Sequence, residues 1–117
     1  MRHLKKLKKL GLKKSHRTAL LRNLIASLAI HGRVRTTKTR GKALQARFDH
    51  MLRLVHKKTP REAIRLLPRY CHLASVSKKI VTELAPKYKD RTSGFTRLTP
   101  VGMRKGDNTP IVQIELL

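Results

Sequence analysis

The chain has 117 residues, 29 of them Lys or Arg against 6 Asp or Glu, a net charge of +23 with neutral histidines. Its one cysteine, Cys71, excludes an internal disulfide, and no stretch approaches the length of a transmembrane helix. One domain fits this length, with an aliphatic core because aromatics make up only 3%.

The charge is uneven. No acid precedes Asp49, and residues 1–14 alone carry Arg2, Lys5, Lys6, Lys8, Lys9, Lys13 and Lys14. Leu4, Leu7 and Leu10 recur every three residues, but lysine repulsion and Gly11 oppose a free helix. Residues 1–14 are therefore expected to be a basic arm, disordered when free and ordered on binding. No apolar run follows its basic start, so it does not read as a secretory signal, and a cytoplasmic protein is expected. The body, 15–117, keeps 22 basic groups against the same 6 acids, still about +16. Both parts must face an anionic partner.

"SHRTALLRNLIASLAIHG" predicts a first helix with Ser15 as its cap. Leu20, Leu21, Leu24, Ile25 and Leu28 form its apolar stripe, and Gly32 suits a left-handed end. Arg17, Arg22 and Asn23 lie off the stripe. "RVRTT", Arg33 to Thr37, alternates as a short strand, with Val34 and Thr36 on one face and Arg33 and Arg35 on the other. A second helix is expected from Thr39 to Lys57, burying Leu44, Phe48, Met51, Leu52 and Val55. In "TPREAIRLL", Thr59 caps, Pro60 opens the helix and Glu62 closes a capping box, with Pro68 ending or kinking it. A fourth helix is expected from Ser75 or Ser77, burying Val76, Ile80, Val81 and Leu84 and stopping before Pro86. "GFTRLT" and "PIVQIELL" read as strands around the turn-rich "PVGMRKGDNTP", with Val112, Ile114 and Leu116 facing the core. The expected fold is α+β: helix, strand, three helices and two strands, a small mixed sheet packed against helices, behind the arm.

Catalysis finds little support. The acids are Asp49, Glu62, Glu83, Asp90, Asp107 and Glu115, no two of them four apart on a helix. Glu62 is used by the capping box, and Asp49 and Glu83 balance neighbouring cations. No histidine has metal-ligand spacing, and Cys71 reads as a small buried hydrophobe. No phosphate-cradling motif is present. Neither an enzyme, a metal, a cofactor nor a small-molecule substrate is expected.

Binding remains. Phosphates are held by Lys, Arg, hydroxyls and helix N-termini. "KKSHRT" joins Lys13, Lys14, Ser15, His16 and Arg17 at a helix start, and "RVRTTKTRGK" joins Arg33, Arg35, Thr36, Thr37, Lys38, Arg40 and Lys42 at the next. Arg104 and Lys105 tip the last loop. Basic runs are ordinarily solvated surface, which suits Lys78 and Lys79, but the two segments at the helix starts have no compensating acid, whereas Arg104 and Lys105 have Asp107 close behind them. With few aromatics for base stacking and no recognition-helix pattern, the chemistry favours shape and backbone contacts to folded RNA. A general DNA-compaction protein is the alternative. A lysine–leucine tail on anionic lipid is a third reading, and no membrane partner is expected.

The motifs "MRH", "SHR", "RNLIASL", "TT", "GFTRL", "GDNTP" and "IELL", in this order over nearly the whole chain, resemble the bacterial large-subunit ribosomal protein seventeen family. The resemblance implies an α+β fold, binding to large-subunit rRNA on the solvent side near the exit tunnel, and the small large-subunit protein thirty-two as a neighbour. It implies RNA contact for Arg2, His3, Ser15, His16, Arg17, Thr36, Thr37 and Arg97. Two departures stand out: Gly41 and Ala43 occupy positions where the family commonly has Ala and Glu, and Phe95 replaces the tyrosine of "YTR".

Overall fold

The computed structural model describes residue 3 and residues 8–117. Helix α1 spans Lys14–His31 and buries Leu21, Ile25, Ala26, Leu28 and Ala29, with Leu20 and Leu24 half-buried. It ends at Gly32, whose φ of 77° is the left-handed value glycine adopts without strain, and the Gly32 N–H closes on the Leu28 carbonyl at 2.9 Å. Ser15 does not cap this helix. The cap position is Lys13, without a side-chain bond, and the Arg17 N–H bonds the Lys13 carbonyl at 2.9 Å. The helix thus starts two residues earlier than expected, and Ser15 falls inside its first turn.

Strand β1 is Arg33–Thr37, and helix α2, Lys38–Lys57, follows directly. The expected stripe of α2 is fully internal, joined by Gly41. Helix α3, Pro60–Leu66, has the predicted capping box: Thr59 N–H donates to Glu62 Oε2 at 3.2 Å and Thr59 Oγ1 accepts from Glu62 N–H at 3.4 Å. Pro68 converts its continuation into a 3₁₀ turn over Leu67–Arg69.

The last helical stretch corrects the sequence reading. It starts at Ala74, as α4 (Ala74–Lys79), and does not stop before Pro86. A π-turn over Ile80–Leu84, in which the Ala85 N–H reaches the Ile80 carbonyl, leads into α5 (Ala85–Lys87). Proline lacks an N–H and crowds the carbonyl four residues earlier. The wider turn changes the register just before it, so the rod continues.

Strands β2 (Thr96–Met103) and β3 (Pro110–Leu116) complete a sheet of order β1-β3-β2. All its pairings are antiparallel, where a mixed sheet was expected. The closing hairpin fixes β2 against β3, and β1, running with β2, takes the other edge of β3 in the same sense. Strand β2 also runs past Thr99 into the stretch expected as loop. It is an edge strand, so Pro100 is tolerated, and a bulge between Pro100 and Gly102 restores pairing.

The helices cover one face of the sheet, where Val112 and Ile114 are buried. At one end of the core, Phe95 is fully buried, its ring edge-on to His56 at 5.5 Å and Tyr88 at 5.7 Å between centroids. The Tyr88 hydroxyl donates to the Leu117 carbonyl at 2.6 Å, and the Leu117 N–H donates to the Phe95 carbonyl at 3.1 Å. Cys71 is buried beside Ser77, Sγ to Oγ 3.3 Å, and burial pushes its thiol pKa up.

Candidate nucleic-acid interface

Residues 8–13 lead into α1 through a turn at Leu10 and Gly11, both with positive φ. The Arg17 guanidinium holds this turn, donating to the carbonyls of Leu12 at 3.3 Å and Lys9 at 3.5 Å. Arg17, expected to touch RNA, therefore also fixes the root of the arm along α1. Lys8, Lys9, Lys13, Lys14, Ser15 and His16 are exposed around it, and the first turn of α1 contains no acid. His3 is exposed; Arg2, Lys5 and Lys6 lie outside the described residues.

At the second basic segment, Lys38, Thr39, Arg40 and Lys42 are exposed along the first turns of α2, again without an acid. The paired threonines separate. Strand alternation sends Thr36 to the helix-covered face, where its methyl lies near Gly41, while Thr37 turns the other way. The uncovered face of the sheet is polar. Register places Glu115 between Arg33 and Arg97, and Gln113 between Arg35 and Thr99. Arg35 Nε donates to Gln113 Oε1 at 3.2 Å, and Gln113 Nε2 donates to Glu115 Oε2 at 3.4 Å. One carboxylate thus sits among three arginines.

At the hairpin tip, Arg104 has a partner within the fold. Arg104 is not an uncompensated cation: its guanidinium makes two bonds to the Asp107 carboxylate, at 3.1 and 2.5 Å, in the one ion pair among the described residues. Arg104 and the Thr109 side chain and N–H hold the Asp107 carboxyl well below the usual range. The pair closes the turn and leaves Lys105 as the tip's outward cation. Arg22 is similarly occupied, half-buried with Nε 3.5 Å from the Arg69 carbonyl.

The structure gathers Lys14, Arg17 and Lys42 around a cleft between α1 and α2, together with Arg47 and His50. Those last two escaped the sequence reading because they sit in the middle of α2, away from any basic run. Among the described residues, no group of His, Cys, Asp and Glu could hold a metal ion, and no helix is long and apolar enough to cross a membrane.

Comparison with known proteins agrees along the length of the chain. Residues 20–117 match the family model described as ribosomal protein L17. The chain is 40% identical over 118 residues to the large ribosomal subunit protein bL17 of Thermus thermophilus, covering 100% of this chain and 99% of that protein. It is 39% identical over 109 residues to that of Carboxydothermus hydrogenoformans, covering 93% and 96%. With that of Pelobacter propionicus it shares 38% over 117 residues, covering 100% and 91%.

Proposed function

This chain belongs to the ribosomal protein L17 family, and from that premise we propose that it binds and stabilises folded large-subunit rRNA through its basic surface and N-terminal arm. It is a structural protein of the bacterial large ribosomal subunit, in the cytoplasm, and not an enzyme. The observation that carries the rRNA reading is the pair of acid-free helix starts, one rooted on the arm at Lys13–Arg17 and one at Lys38–Lys42. Unsatisfied N–H groups and cations there offer phosphate ligands, and their charge is not cancelled within the chain. The body, residues 15–117, docks on one RNA surface, and the arm, residues 1–14, orders in a crevice beside it. Other large-subunit proteins are its neighbours; protein thirty-two is the one the family resemblance proposes.

The test is release and competition. The protein co-sediments with large subunits in a sucrose gradient and leaves them only at high salt. Equal displacement from large-subunit transcripts by duplex DNA and by the same rRNA would favour the DNA-compaction reading instead.

A further inference from the structure

The cleft between α1 and α2 has a volume of about 530 Å³, open on one side. This lies in the range of small-ligand pockets, ~300–1,000 Å³. Lys8, Lys14, Arg17, Lys42 and Arg47 face it, and no carboxylate does. These five cations share one concavity, where an anion would relieve their repulsion beyond what the carbonyl bonds of Arg17 and Arg47 and the solvent supply.

The wall is not merely basic. Ala43 and Ala46 on α2 oppose Leu21 on α1, and the two alanines are what leave the space open. Tyr70 lies at the floor with the Arg47 guanidinium 5.1 Å over its ring and the His50 ring 6.3 Å away. Arg47 is anchored through the Arg69 carbonyl at 3.2 Å, yet its Nε is buried with no hydrogen-bond partner. A bare phosphate would use the cationic rim and leave the apolar wall unfilled. A nucleotide uses both.

We propose that this cleft receives one unpaired nucleotide of the bound RNA. Lys14, Arg17 and Lys42 hold its phosphate, and its base lies on the Ala43–Ala46 wall beside His50 and Arg47. The inference rests on the rRNA reading above and adds a site to it.

Titration of the full chain with uridine 5′-monophosphate, followed by backbone NMR, reads the cleft directly. The monophosphate shifts the amides of Ala43, Ala46 and Tyr70 as well as those of Lys14, Arg17 and Lys42; inorganic phosphate shifts only the latter set. Ala46→Trp fills the wall at unchanged charge. It abolishes the wall shifts and lowers affinity for a large-subunit transcript at least about fivefold, with the salt slope retained. Ala43→Leu is the second filling variant if the first does not give a wild-type circular dichroism spectrum. Identical, rim-only shifts from both ligands would overturn the proposal, as would a folded filling variant that binds the transcript like wild type. So would an acidic peptide that occupies the wall more tightly than the nucleotide. Failure of the wild-type chain to bind the transcript at all would instead remove the rRNA reading itself.

Discussion

A β-carbon on Gly41 would stand 2.7 Å from Cγ2 of Val112, the buried centre of β3. Leu98 Cδ1, at 3.1 Å, closes the same space from β2. The first turns of α2 thus approach the sheet so closely that glycine is the residue this position accommodates without a shift. Elsewhere in a helix, Gly→Ala gains up to about 1 kcal/mol. Here the β-branched Val112 cannot swing away, so overpacking of about 1–3 kcal/mol outweighs that gain. Gly41→Ala is expected to lower stability by about 1–2 kcal/mol in urea unfolding, and Gly41→Ala with Val112→Ala to show a favourable coupling. An additive double variant would mean that the two positions do not clash.

The sequence made some of this legible. The stripe of α2 and the Thr59–Glu62 box are local patterns, and local patterns survive folding when their spacing agrees with burial. Pro86 misled because a π-turn, invisible in the pattern, absorbs it. The central place of β3, the pairing of Glu115 with Arg33 and Arg97 across it, and the α1–α2 cleft come from residues far apart in the chain. Basic runs marked exposed cationic surface; they did not reveal that Arg22 and Arg104 are occupied within the fold while Arg47 faces the cleft.

Asp49 gives a pH signature. Burial raises its carboxyl pKa above the ordinary 3.8, opposed by hydrogen bonds from Thr96 and Phe95 and by Arg53. A raised acid pKa means the native state holds the proton longer than the unfolded chain. Stability from this group therefore falls as pH rises from 3.8 through the folded value, and the penalty is complete above it. Asp49→Asn keeps an acceptor for Thr96 Oγ1, 3.4 Å away in the native protein, without the charge. Its melting temperature is expected to exceed wild type at pH 7 and moderate salt, with the gap narrowing on acidification. A gap that widens toward low pH would contradict the raised pKa.

The Tyr88 hydroxyl donates to the main-chain oxygen of Leu117 at 2.6 Å. Tyr88→Phe keeps both edge-to-face ring contacts and removes only this bond, at a cost of about 1 kcal/mol. Amide exchange at Leu117, whose N–H bonds the Phe95 carbonyl, should accelerate with it. Unchanged exchange there would show that the ring packing alone holds the C-terminal residue.

The arm and the body are expected to contribute separably to binding, because α1 begins at Lys14, with Lys13 only at its cap position. Deleting residues 1–12 removes Arg2, Lys5, Lys6, Lys8 and Lys9 together with the carbonyls that Arg17 grips, and leaves the helix start in place. Each lost phosphate contact flattens the dependence of log K on log salt by about 0.7–0.9. If all five cations touch phosphate, the slope for a large-subunit transcript falls by roughly 3.5–4.5, while the unfolding midpoint stays near that of the full chain. The remaining chain, still about +18, is expected to bind through Lys38–Lys42 and the rest of the cleft. A slope that survives the deletion intact would take the arm out of the binding mechanism. A lost melting transition would show instead that the Arg17 clamp is needed to hold α1.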